Sequence, residues 1–217
     1  MIAFIDCYIE SPANHCVNSF VEKTKIPCTY HMASKFGINS LNDLTNPTAY
    51  VILGSASHAT DYPEWQAQLL DFIHQKLQNN IPVLGICYGH QAVAHYFGCE
   101  LGHIFTAKTV LKESRKIQLS KSLWKLPDEM HLAFSHSQII TKLTNDFEEI
   151  ASSNLPNEII RHKTLPFYGI QAHPEASIHF LKNETELSFG DYQSVLSTGH
   201  DFLEQFYHHS QLIMANN

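Results

Sequence analysis

Three short stretches carry residue types that could do chemistry together: GICYG (85–89), AHPEAS (172–177) and VILGSAS (51–57). In the first, Cys87 has a glycine two positions away on either side, with an apolar run before it and a helix-like run after it. That is the layout of a nucleophile elbow, a strand and a helix joined by a sharp turn that holds the nucleophile in a strained conformation. Gly85 and Gly89 leave room for strand and helix to approach, and the helix N-terminus beneath the sulfur is an environment that favours thiolate over thiol. The backbone N–H of Tyr88 is then free to point at an oxyanion. Alone, the same pattern also fits a buried structural cysteine.

In the second stretch, His173 ends an expected strand and Glu175 follows two positions later, with Pro174 between them fixing the backbone. The carboxylate can hold the tautomer and orientation of the imidazole, which can take a thiol proton and later deliver it to a leaving amine. The third stretch is a strand ending at Gly54-Ser55, and in an open α/β sheet such an end delivers N–H groups to the edge where ligands bind. Ser55 N–H is the candidate second oxyanion donor; losing such a donor typically costs about 10²–10³ in rate.

The elements that must position these groups can be read from periodicity. IAFID (2–6) and AYVILG (49–54) are short apolar strands. From Tyr62, the residues Trp65, Leu69, Phe72, Ile73 and Leu77 fall at helical spacing and predict an amphipathic helix ending near Asn79-Asn80. IPVLGI (81–86) is apolar on both faces, as a central parallel strand covered by helices must be. The helix after Cys87 is expected to end at Gly98 in a left-handed cap. GHIFTAK, SRKIQLS and HLAFSH predict shorter strands in an antiparallel extension; EIIRH and FYGIQAH return as strands. Tyr192, Val195, Leu196, Leu203 and Phe206 predict a closing helix weakened by Gly199. This alternation predicts an α/β sandwich with a mostly parallel sheet, in one domain over residues 1–217.

Composition narrows the function. At 217 residues and 44% apolar content the chain can bury one substantial core. The formal charge of −7, with Lys and Arg scattered, argues against nucleic acid or an anionic membrane as partner. There is no run of eighteen apolar residues to span a membrane, and MIAFIDCY opens as a strand rather than a signal peptide. Five cysteines in irregular spacing, with no CxxC, fit free thiols in a reducing cytoplasm better than a disulfide framework or a structural zinc. Fifteen histidines lack HExxH or other tight ligand spacing, so no metal is expected.

With the three stretches in hand, the chain resembles the class I, triad-type glutamine amidotransferases. PVLGICYGHQAVAHYFG is similar to that family's nucleophile motif, GIQAHPE to its His/Glu motif and VILGSAS to its oxyanion strand; FSHSQII (134–140) stands where the family has a Ser-His loop contacting the glutamine. The motifs lie within roughly the first 180 residues, and GSASHATDYPEW with GICYGHQ looks closest to the stand-alone branch similar to the glutaminase domain of GMP synthase. The resemblance implies a three-layer, flavodoxin-like α/β sandwich with a mostly parallel central sheet and a small antiparallel extension. It implies Cys87 as nucleophile, His173 as base and Glu175 as orienting acid, with Ser55 and Tyr88 as backbone oxyanion donors. Gly54, Gln91, Ser135, His136 and Ser137 would shape the substrate pocket, and His90 would support the helix. No cofactor is called for.

The chain departs from the family pattern at Ser55-Ala56, where Gly-Pro is common, and at Gln138, where an acidic residue usually stands. The implied substrate is L-glutamine, the released ammonia passing to a separate synthase subunit. The alternative is a γ-glutamyl peptide or amide hydrolase with the same triad, and a silent binding or regulatory module is a third.

Overall fold

A computed structural model describes residues 1–187 and 191–216. The chain opens with β1 (Ile2–Asp6), α1 (Asn14–Thr24) and β2 (Cys28–Met32), then two single-turn helices, α2 (Ala33–Phe36) and α3 (Asn39–Asn42). Next come β3 (Ala49–Ile52), α4 (Glu64–Gln78), β4 (Val83–Ile86) and α5 (Tyr88–Tyr96). A run of strands follows: β5 (Glu100–His103), β6 (Leu111–Leu119), β7 (Glu129–His136), β8 (Gln138–Lys142), β9 (Phe147–Ser152), β10 (Ile159–His162) and β11 (Phe167–Ile170). Two helices close the described chain, α6 (Ile178–Glu184) and α7 (Tyr192–Ala215).

Nine of the strands form one sheet in the order β2-β1-β3-β4-β11-β10-β9-β6-β7. The first five are parallel and the last four antiparallel, while β5 and β8 pair as a separate antiparallel ribbon. The antiparallel part expected from SRKIQLS and HLAFSH is therefore a continuation of the main sheet, anchored by the full-length pairing of β6 with β7. Of GHIFTAK only Gly102 and His103 are in a strand, and they lie in the side ribbon.

Successive side chains of a strand point to opposite faces, so a strand covered on both sides must be apolar at every position. In β1, Ile2 and Phe4 enter one core while Ala3 and Ile5 enter the other; in β3, Val51 and Ile52 divide in the same way. Phe20 of α1 and Phe202 and Phe206 of α7 fill the first core, and Leu69, Phe72 and Ile73 of α4 fill the second. The result is helix layer, sheet, helix layer. None of the described helices is long and apolar enough to cross a membrane.

Gly98 has the predicted left-handed backbone (φ 88°), and the bonds Cys99 N–H to Ala94 O (3.0 Å) and Gly98 N–H to His95 O (2.9 Å) close α5 in a Schellman cap. The expected weakening at Gly199 does not occur: α7 runs unbroken for 24 residues. A Cβ on Gly199 would lie 2.5 Å from Pro174 O, so the missing side chain is what lets α7 touch the HPE turn.

Candidate active site

The corner between β4 and α5 holds Cys87 at φ 48° and ψ −100°, a backbone that L-residues seldom adopt. Its N–H donates to Ile170 O of β11 (2.8 Å), and its carbonyl accepts the Gln91 N–H (3.0 Å) that starts the helix. The two flanking glycines work by absence. A Cβ on Gly85 would fall 2.6 Å from the Gly89 carbonyl, and one on Gly89 would fall 2.5 Å from Ile52 O. Strand and helix are thus pressed together with Cys87 at the apex, its thiol donating to the Ser135 carbonyl at 3.7 Å.

β11 lies beside β4 in parallel register, Gly169 against Gly85 and Ile170 against Ile86. The chain leaving it reaches His173, whose N–H donates to Ala133 O of β7 (2.8 Å) and whose carbonyl accepts Ala176 N–H (3.2 Å) to close the turn around Pro174. His173 Nδ1 and Glu175 Oε1 are 2.9 Å apart, and both side chains are buried, at 2% and 1% exposure. A carboxylate facing Nδ1 puts the proton there and leaves Nε2 to work; Nε2 has no hydrogen-bond partner among the described residues. Burial alone would push the imidazole toward neutrality. The charges of Glu175 and Cys87 outweigh it and hold His173 well above the usual histidine range.

One cavity of about 290 Å³ collects these groups. Cys87, His173, Ser55, Gln91, Ser135, His136 and Ser137 all line it, whereas Gly54, Tyr88 and Glu175 do not. Glu175 stands behind the imidazole. Gly54 lies against it, a Cβ there being 3.0 Å from His173 Cε1. The Tyr88 ring is turned into the core against Trp65 (centroids 5.9 Å apart), leaving its position at the first turn of α5, where helix N–H groups lack intrahelical partners. Neither Gly54 nor Ser55 has a positive φ, so the serine sits on the oxyanion strand without backbone strain.

The pocket residues divide by what they touch. Gln91 Nε2 is spent on Gln138 O (2.8 Å) and Gln171 Oε1 (2.9 Å), tying α5 to β8 and to the end of β11. His136 donates from Nδ1 to Gln138 O (3.0 Å), and burial lowers it to about 4, so its Nε2 is a bare, unpartnered acceptor. His90 is fully buried and lowered to about 3, mainly by desolvation, and packs against Gly169, where a Cβ would fall 2.4 Å from Nδ1.

Sequence reasoning did not single out Tyr8, Glu10, Lys112 or Glu184, all of which line the cavity. Tyr8 follows β1 at the same sheet edge, and burial, then Glu175, keep its hydroxyl neutral. Among the described residues no three His, Cys, Asp or Glu side chains are grouped to hold a metal, and all five cysteines are free.

A doubly covered, mostly parallel sheet with a thiol at one strand-to-helix corner and a His-Glu pair on the adjoining strand end defines a class of proteins. The family model for class-I glutamine amidotransferases matches residues 3–186, and the chain belongs to that family. One of the two chains of the glutamine-hydrolyzing GMP synthase of Pyrococcus furiosus is 38% identical over 99 residues, 45% of this chain and 53% of that protein. The glutamine-hydrolyzing GMP synthase of Thermosipho africanus is 32% identical over 169 residues, 73% of this chain and 28% of that protein. The matches thus span about half the length of the first-named relative and less of the second. Among solved structures, a glutamine amido transferase from Methylobacillus flagellatus superposes with a TM-score of 0.72 at 17% identity, over 98% of this chain and 94% of that one. A glutamine amidotransferase from Thermotoga maritima gives 0.69 at 17% identity, covering 97% of each.

Proposed function

We infer that this chain hydrolyses the γ-amide of L-glutamine with Cys87 as nucleophile. The reading is carried by the buried His173–Glu175 pair at 2.9 Å, whose imidazole lines the same cavity as the strained cysteine. The Cys87 sulfur adds to the γ-carbonyl carbon, and the oxyanion takes the N–H groups of Ser55 and Tyr88. His173, carrying the thiol proton on Nε2, gives it to the leaving nitrogen; the C–N bond breaks and ammonia departs. A γ-glutamyl thioester remains on Cys87. Water then loses a proton to His173 and attacks the thioester, and the proton returns to sulfur as glutamate leaves. Glu175 holds the Nδ1 proton throughout, while Gly54, Gln91, Ser135, His136 and Ser137 shape the pocket.

The ammonia passes to a separate synthase subunit. This is supported by the relatives named as a glutamine-hydrolyzing GMP synthase or as one chain of it.

The test is glutamate and ammonia release from L-glutamine beside a panel of γ-glutamyl amides, with mass spectrometry after a chloroketone glutamine analogue. The adduct is expected on Cys87, and Cys87→Ala is expected to lose at least about 10³-fold in turnover with its fold intact. Retained turnover in that variant, or an adduct elsewhere, sinks the mechanism. A panel in which γ-glutamyl amides turn over and glutamine does not makes the chain a γ-glutamyl hydrolase instead.

A further inference from the structure

The cavity at Cys87 contains charged groups that belong to none of the sequence motifs. Lys112 lies on β6, and its register partner on β7 is Ser135. Directly opposed residues of an antiparallel pair share one face of the sheet. The Lys112 ammonium reaches Glu184 Oε2, at the end of α6, at 3.0 Å, and the Ser135 hydroxyl donates to the same oxygen at 3.5 Å. The carbonyl of that serine accepts the Cys87 thiol at 3.7 Å. A cation and a carboxylate are therefore fixed to the very residue that the nucleophile touches, and all of them line the cavity.

The pair is a poor stabiliser of the fold. Its side chains keep 38% and 42% exposure, and an ion pair that wet contributes about 0–1 kcal/mol. It is correspondingly cheap to open. Lys112 is the only lysine or arginine among the described residues lining the cavity, and Gln138, where the resemblance leads one to expect an acid, is neutral and cannot balance an ammonium. A ligand with adjacent positive and negative groups would enter between the two side chains and replace one internal ion pair by two charge-assisted contacts.

We propose that Lys112 and Glu184 form a head-group clamp that selects substrates whose α-carboxylate and α-ammonium are both free, Lys112 taking the first and Glu184 the second. The clamp rests on the γ-glutamyl chemistry inferred above and adds the rule for which γ-glutamyl compounds are accepted.

The experiment uses the whole chain in two forms. In the active form, kcat and KM are measured for L-glutamine, Nα-acetyl-L-glutamine and L-glutamine α-methyl ester, with wild type, Lys112→Met and Glu184→Gln. Lost ground-state contacts raise KM and spare kcat, so each variant is expected to raise the glutamine KM about tenfold or more with kcat within about twofold. Glu184→Gln should erase the preference for glutamine over the acetylated compound, and Lys112→Met the preference over the ester. In the Cys87→Ala form, calorimetry reads L-glutamine binding without turnover, and the same two substitutions should weaken Kd by the same factor. Unchanged KM, Kd and selectivity in both variants overturn the clamp, as does failure of Cys87→Ala to bind L-glutamine or L-glutamate at millimolar concentration. Binding that depends on Lys112 and Glu184 in a chain with no turnover would instead overturn the hydrolytic reading and leave the clamp standing.

Discussion

Cys87 carries its sulfur on a backbone at φ 48° and ψ −100°, where a Cβ costs on the order of 1–3 kcal/mol. The strain predicts an unusual order of stability. Cys87→Gly and Cys87→Ala both remove the sulfur, but only glycine relaxes the corner, so the glycine variant should be the more stable by about 1 kcal/mol in urea unfolding. Alanine is the better residue at most other places; an alanine variant as stable as the glycine one would show that the corner is unstrained. The triad candidates were legible in the sequence because the elbow and the HPE turn are each local patterns, complete within a few residues. Lys112 and Glu184 were not. One reaches the cavity through the register of β6 on β7 and the other from the end of α6, and neither position leaves a local trace in the chain.

At the level of elements, periodicity found the strands and helices that are apolar throughout or strictly amphipathic, and it passed over the rest. β2 is half-buried at the sheet edge, and its CTYHM has neither the continuous apolar run nor the clean alternation that marks a strand. Gly199 is the opposite case. Propensity counts it against a helix, yet its packing on Pro174 is the reason for its presence. At an exposed helical site Gly→Ala gains about 1 kcal/mol. Gly199→Ala should instead lose about 2 kcal/mol or more, because a Cβ 2.5 Å from Pro174 O forces α7 and the HPE turn apart. The same displacement moves His173 and Glu175 together, so kcat/KM should fall about tenfold or more in the folded variant. A stabilised variant with full activity would mean that helix and turn are not coupled.

Across the whole molecule the buried histidines set how the protein responds to acid. His136 and His90 titrate near 4 and 3 in the folded state, principally because burial excludes the charge, against about 6.5 in an unfolded chain. Between about 6.5 and 4 the unfolded state takes up protons that the folded state refuses, so stability falls on acidification, by at most about 1.4 kcal/mol per pH unit for each histidine. His173 has the opposite sign. Its raised folded value adds stability that is present below about 6.5 and lost as pH rises through that folded value, so it does not counter the acid slope. Melting temperature should drop from pH 6.5 to 4.5, and His136→Gln should reduce the drop; a flat profile, or an unaltered drop in the variant, refutes the assignment.

The sheet order also has a consequence in time. β11 is inserted between β4 and β10, so the strand end that issues the imidazole joins the one that issues the thiol only through a pairing distant in sequence. Such pairings bear the largest loop-closure penalty and form slowly. A growing polypeptide on the ribosome displays its sulfur well before the histidine has been synthesised, and the reactive couple comes into being only when the late strand zips into place.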